Sequence, residues 1–324
     1  MSHCSRNALA RKCLHAMLRP DFGSEGLMAS YEVLVIGGGM AGLTAAVEAA
    51  ALGKKTALLE KSPMFGGQIA NVEMVDGLDV PAPGMMLAMT LMQQSMERGV
   101  ETITGEVSAI APVDGEFAIG TSGGQHTAAS VIVASGGRLK SLGVPGEEKF
   151  IGRGVSQCAS CDGPLFQGSN VIVVGGGDAA AQEALALTAF CDSVTMICRS
   201  GLRARTDYAE RIEANPAISV TNNSVVLEIL GEDGVSGVRV CNTENESETV
   251  MTCAGVFPFI GSVPNTEFLA DCVALDNGYV VTDDRFEATV PGVFAAGAVR
   301  KGYLGQLADA LIEGKGAASA ACGG

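Results

Sequence analysis

Nearly uninterrupted apolar runs that end in glycine recur along the chain. Glu32-Val-Leu-Val-Ile36 leads into Gly37-Gly-Gly39-Met40-Ala41-Gly42, and Asn170-Val-Ile-Val-Val174 leads into Gly175-Gly-Gly177-Asp178-Ala179-Ala180. Between them, Val131-Ile-Val-Ala-Ser-Gly136-Gly137 follows the same pattern. Short apolar runs bounded by glycine predict strands covered on both faces, as in a parallel sheet. After the first and last of these runs the pattern turns helical, over Leu43–Leu52 and Gln182–Thr188. Second strands then follow at Thr56–Leu59 and Ser193–Ile197, and Gly278–Asp283 and Pro291–Gly297 supply strand material near the C-terminus. A helix predicted over Gly84–Met96 carries Met85, Met86, Met89, Met92 and Met96, which read as core or dimer-interface filler ahead of a partner-binding face.

Strand, GxGxxG and helix in that order describe a dinucleotide cradle. Gly37 permits the tight turn, Gly39 lets the backbone approach a diphosphate, and Gly42 lets the helix lie close to the strand. The diphosphate then meets the positive end of the helix. Glu60 closes the next strand eighteen residues after Gly42, where a carboxylate can accept the hydroxyls of an adenosine ribose. In the second copy Ala180 replaces the third glycine and still permits close packing. No acid ends its following strand; Arg199, Arg203 and Arg205 stand there instead, as a 2′-phosphate would want. Two fingerprints imply two dinucleotides, a tightly held flavin and an exchangeable nicotinamide. The arginines favour NADPH and leave NADH open.

Between the fingerprints lies Cys158-Ala-Ser-Cys161-Asp162-Gly163. Two thiols at this spacing can close a disulfide, and the adjoining carboxylate can move the proton that thiol chemistry requires. Half of a zinc site looks the same. There is, however, no second CxxC, and His3, His15 and His126 are scattered, so no metal is expected. The remaining cysteines of the body, Cys191, Cys198, Cys241, Cys253, Cys272 and Cys322, read as small apolar fillers.

The 324 residues suit two domains. No run reaches the roughly 18 apolar residues of a membrane span. The net charge of −15 argues against nucleic acid, whose phosphates need a basic footprint. Ten cysteines spread singly apart from the one pair suggest a reducing, cytoplasmic setting. Residues 1–29 are basic before Asp21 and lack a core pattern. They read as an extension, disordered or upstream of a start at Met28, ahead of a targeting segment.

From about residue 31 to the end, the chain resembles the low-molecular-weight thioredoxin reductases. The residues that carry the resemblance are Gly37–Gly42, Gly66-Gly67-Gln68, Leu142-Gly-Val-Pro-Gly-Glu-Glu through Gly152-Arg-Gly-Val to Cys158–Gly163, and Gly292-Val-Phe-Ala-Ala-Gly297. The resemblance implies an α/β chain with two Rossmann-like dinucleotide-binding domains, the second inserted into the first. An FAD domain would cover 30–141 and 267–324, and an NAD(P)H domain carrying the CxxC would cover 142–266. It further implies a homodimer acting on a thioredoxin-like protein or a small disulfide or dithiol. Cys161 would be the thiol nearest the flavin, Cys158 the thiolate that attacks the partner, and Asp162 the acid/base. Glu60 and the first glycines, with Met40 and Ala41, would hold FAD together with Gly67, Gln68, Gly136, Gly297, Ala298, Gln306 and Leu307. Gly175, Gly177, Asp178, Ala179, Ala180, Arg199 and Arg203 would hold NADPH.

Four departures stand out. The family has an acid where this chain has Ala298, an arginine at Gly305, and His-Arg-Arg at Cys198-Arg199-Ser200. An asparagine-proline segment is replaced by Val75–Pro83. One lost hydrogen bond to a buried polar group costs about 1–3 kcal/mol, roughly 5- to 150-fold in flavin affinity. These departures keep a dithiol oxidase using oxygen, or a ferredoxin-fed reductase, as the alternative. A regulatory module without catalysis is disfavoured by the intact Cys158, Cys161 and Asp162.

Overall fold

The computed structural model describes residues 27–72, 75, 82–269, 272–303 and 305–324. The proposed N-terminal extension therefore lies largely outside the described residues, as does most of the Val75–Pro83 segment. The first strand begins at Leu27, ahead of the domain start at 30 drawn from the sequence.

The chain divides into two compact units, one of residues up to 137 and from 264 onward, the other of 138–263. The first begins with β1 (Leu27–Ile36), α1 (Met40–Ala51), β2 (Thr56–Glu60), α2 (Gly84–Glu97), β3 (Glu101–Thr104), β4 (Val107–Val113), β5 (Glu116–Thr121) and β6 (Gly124–Val133). Strand β7 (Gly137–Leu139) leads out of it. The inserted unit holds the single turn α3 (Ala159–Asp162), then β8 (Asn170–Val174), α4 (Asp178–Leu187), β9 (Ser193–Ile197), α5 (Thr206–Glu213) and β10 (Ile218–Thr221). It continues through β11 (Ser224–Gly231), β12 (Val235–Asn242), β13 (Glu248–Thr252) and β14 (Gly255–Pro258). β15 (Ser262–Pro264) leads back, followed by β16 (Leu275–Asp276), β17 (Tyr279–Val280), β18 (Val293–Ala295) and α6 (Leu307–Ala321). The outgoing and returning strands β7 and β15 pair with each other. The crossings by contact thus fall at 137/138 and 263/264, a few residues before the 141/142 and 266/267 drawn from the sequence, on the strands that form the connection.

In the first unit the sheet runs β3-β2-β1-β6-β5-β4, with β18 also on β6. β1, β2, β3 and β18 are parallel to their neighbours, whereas β4, β5 and β6 form an antiparallel meander. β6 is long enough to hold β5 along Gly124–Ala128 and β18 along Val131–Val133 on the same edge. β1 shows why its sequence is continuously apolar: Val33 and Val35 face one core, Leu34 and Ile36 the other. The inserted unit repeats the plan. A parallel sheet β10-β9-β8-β14 places Val171 and Val173 on one side and Ile172 and Val174 on the other. The antiparallel β11-β12-β13 sheet packs below it.

Candidate functional site

In the first unit, β1 ends at Ile36 and the chain turns through Gly37 at φ +105°, a conformation that L side chains rarely adopt. A Cβ on Gly42 would lie 1.8 Å from the Gly37 carbonyl oxygen, so α1 reaches the strand only because that atom is absent. Gly39 borders open space, with nothing within 4 Å of where its Cβ would stand. It precedes α1 without a side-chain cap, so the amides of the first turn are available to a diphosphate. The side chain of Met40 is buried in the core beside that of Ala41, so these residues offer backbone to a ligand.

Glu60 sits at the end of β2 with both oxygens engaged. Oε2 accepts the Gly38 N–H at 2.6 Å and Oε1 accepts the Ser62 N–H at 2.9 Å. Each oxygen keeps a second lone pair for a ribose hydroxyl. The Gly66–Gln68 loop runs beside the fingerprint: Gly66 N–H donates to Gly38 O at 2.8 Å, and a Cβ on Gly67 would lie 3.4 Å from Gly39 Cα. Gln68 donates from Nε2 to Gly137 O at 2.8 Å. Gly136, at φ +66°, borders open space. An open, uncapped glycine turn with an oriented acid fits the adenosine diphosphate of FAD.

On the return segment, Gly297 adopts φ +75° and starts a short turn through half-buried Ala298. The acid of this region comes from elsewhere: Glu313 on α6, whose Oε2 accepts the Gly297 N–H at 2.8 Å and which pairs with Arg300. Gln306 precedes α6 and Leu307 opens it, again without a side-chain cap. Neither Glu313 nor Arg300 was singled out from the sequence. An acid inside the small-residue run Ala310–Ala321 was the available signal.

In the inserted unit a cleft of about 580 Å³ opens over the second fingerprint. Gly175, Gly177, Asp178, Ala179, Ala180, Arg199 and Arg203 all line it, together with Ser200. Arg205 does not. Its backbone N–H and guanidinium are held by Asp178, at 2.8 and 3.4 Å. Cys198 is more than filler, since its Sγ–H donates to Gly175 O at 3.2 Å beneath the glycine turn. Burial pushes its thiol pKa up, partly opposed by Arg203.

Cys158 and Cys161 are joined as a disulfide. Cys158 caps α3, and its Sγ accepts the Cys161 N–H at 3.2 Å. Its own N–H donates to Ser156 Oγ at 3.2 Å, and its carbonyl accepts the Asp162 N–H at 3.1 Å. Cys161 is exposed, whereas Cys158 and Asp162 are half-buried. A third residue missed in the sequence lies under this turn: Glu183 of α4 accepts the Ala159 N–H at 2.7 Å.

Two dinucleotide cradles and a redox disulfide define a class. The family model described as pyridine nucleotide-disulphide oxidoreductase matches residues 31–314. Within that class the chain belongs to the thioredoxin reductase family. It is 41% identical over 295 residues to a thioredoxin reductase of Treponema pallidum, covering 90% of this chain and 96% of the relative. It is 38% identical to one of Listeria monocytogenes, covering 88% and 90%. Among solved structures, thioredoxin reductase of Lactococcus lactis superposes with a TM-score of 0.86 at 35% identity, covering 90% of this chain and 97% of that one. That of T. acidophilum gives 0.85 at 34%, covering 90% and 98%. The family is FAD-dependent and uses NADPH, and its members are oxidoreductases.

Proposed function

We propose that this chain reduces the disulfide of thioredoxin or a thioredoxin-like protein at the expense of NADPH. The observation that carries the reading is the Cys158–Cys161 disulfide on the same compact unit as a glycine-walled cleft lined by Arg199 and Arg203. In this reading Gly175, Gly177, Ala179 and Ala180 hold the NADPH diphosphate and the two arginines hold its 2′-phosphate. Gly37, Gly39, Gly42 and Glu60 hold the adenosine end of FAD, with Gly67, Gln68, Gly136, Gly297, Ala298, Gln306 and Leu307 along the rest. Bound there, FAD supplies the two-electron chemistry that links a nicotinamide hydride to a disulfide.

The remaining steps belong to side chains of the protein. With the pair reduced, the Cys158 thiolate attacks one sulfur of the partner disulfide and forms a mixed disulfide, and the other partner sulfur leaves. Cys161 then attacks Cys158, re-forming the intramolecular disulfide and releasing the second partner thiolate. Asp162 moves the proton that these thiolates require. The intact cleft disfavours an oxidase or a ferredoxin-fed enzyme.

Full-length protein loaded with FAD, given NADPH and thioredoxin, should reduce dithionitrobenzoate, and Cys158→Ser should abolish this. No turnover with any thioredoxin would overturn the reading.

Two further assignments accompany it. The protein acts as a homodimer, supported by the exposed methionines of α2, since Met86, Met89 and Met96 are 62–65% exposed and hence not core filler. It works in the cytoplasm, a compartment reducing enough for single free cysteines such as half-buried Cys241 and Cys272. Among the described residues no helix is long and apolar enough to cross a membrane.

A further inference from the structure

The redox turn is tied to the helix that opens the nucleotide cleft. Asp178, Ala179 and Ala180 at the start of α4 line the cleft, and Glu183 follows about one and a half turns past Asp178. Its Oε2 accepts the N–H of Ala159, the residue next to Cys158, at 2.7 Å. Ala159 is fully buried and Glu183 half-buried. Burial pushes the Glu183 carboxyl up from its ordinary value, and the Ala159 N–H partly opposes this.

One consequence falls on Cys158. The Glu183 carboxylate carries a charge of the same sign as a thiolate, and a nearby like charge disfavours ionisation. This favours the protonated thiol over the thiolate, while the uncharged disulfide does not feel it. A dithiol whose thiolate is less stable is the stronger reductant.

We propose that Glu183 is a positioning residue for the redox dithiol: through the Ala159 N–H it fixes the Cys158–Cys161 turn, and by its charge it raises the reducing strength of the pair. The proposal rests on Cys158 and Cys161 being the redox pair. α3 packs against α4, and α4 against α5; the other titratable groups on these helices are Asp162 on the same turn, Asp178 on α4, and Asp207, Tyr208, Glu210, Arg211 and Glu213 on α5. Of these, Asp178 and Asp207 are each 3.4 Å from Arg205.

Glu183→Gln keeps an oxygen for the Ala159 N–H and deletes the charge. In the phosphine-reduced full-length protein, the rate of Cys158 alkylation by iodoacetamide is followed against pH by peptide mass spectrometry. The midpoint should fall by roughly one pH unit in the variant. At a pH above both midpoints, the equilibrium against glutathione should then move about tenfold toward the dithiol. Ala159→Pro removes the donor at the first helical position, where proline fits. The half-buried carboxyl, deprived of that N–H, then holds its proton more tightly, and the midpoint should fall as well. A midpoint unmoved in a variant that folds overturns the proposal. Failure of both variants to fold assigns the contact to the fold alone and overturns it too. Alkylation needs neither NADPH nor a partner, so a wild-type protein inactive with thioredoxin would overturn the functional reading and leave this test readable.

Discussion

Glu313 holds the Gly297 N–H and the Arg300 guanidinium with one carboxylate. Its Oε2 accepts from Gly297 at 2.8 Å and from Arg300 Nε at 3.1 Å, while Oε1 takes Arg300 Nη2. The two side chains are 8% and 16% exposed. Removing one partner of a buried pair strands the other charge, at about 3–5 kcal/mol. Glu313→Ala should therefore lower stability by about that amount in urea unfolding, and Glu313→Gln, which keeps an acceptor, by less.

Glu60 already satisfies two backbone amides, so its loss should be felt in the flavin site and in the local turn. Glu60→Ala should weaken FAD binding roughly 5- to 150-fold, the range of one lost hydrogen bond to a buried polar group. Titration of the apoprotein with FAD, followed by flavin fluorescence, checks this. An unchanged affinity would remove Glu60 from the cofactor site.

Arg199 and Arg203 line the cleft while Arg205 is held by Asp178. Alanine at Arg199 or Arg203 should raise the KM for NADPH by at least about tenfold, as loss of a charged hydrogen bond of 1.5–3 kcal/mol implies. The KM for NADH should barely move. Alanine at Arg205 should instead act mainly on stability.

Cys253 is buried, and burial raises its thiol pKa from an ordinary 9 to about 12. The folded state holds this proton where the unfolded state has lost it, so the sign is fixed: stability is full below pH 9 and falls as pH rises toward 12. The loss from this group reaches about 4 kcal/mol. Cys253→Ala should flatten the alkaline limb of denaturant midpoint against pH.

Met86 and Met89 stand exposed on α2, and light scattering should show a dimer for the wild-type chain. Met86→Glu with Met89→Glu should shift it toward monomer if this face is the contact, without loss of helix content. A dimer unaffected by both charges would move the interface elsewhere.

The parts of the site that obey local rules were readable in the sequence. Gly37, Gly42 and Gly175 are required by close backbone contacts that leave a fixed spacing, and CxxC is a spacing by definition. Glu183 and Glu313 were not readable, because each acts on a residue brought beside it only by folding: Ala159, 24 positions away, and Gly297, 16 positions away. The methionines of α2 have the spacing of a buried stripe. Only the folded chain shows that Ala88, Leu91 and Met92 meet the core beneath the helix while Met86, Met89 and Met96 stand outside it.

The paired strands β7 and β15 bring residues 137–139 alongside residues 262–264. The whole inserted unit thus enters and leaves through one doorway, like a cassette clipped into a single loop. A short turn from Gly137 to Pro264 would close the first unit without it. Joining the ends of the insert would likewise give a free-standing nucleotide-binding protein carrying its own disulfide. Each half could in this way be exchanged, lengthened or borrowed by another chain without redesign of its own sheet.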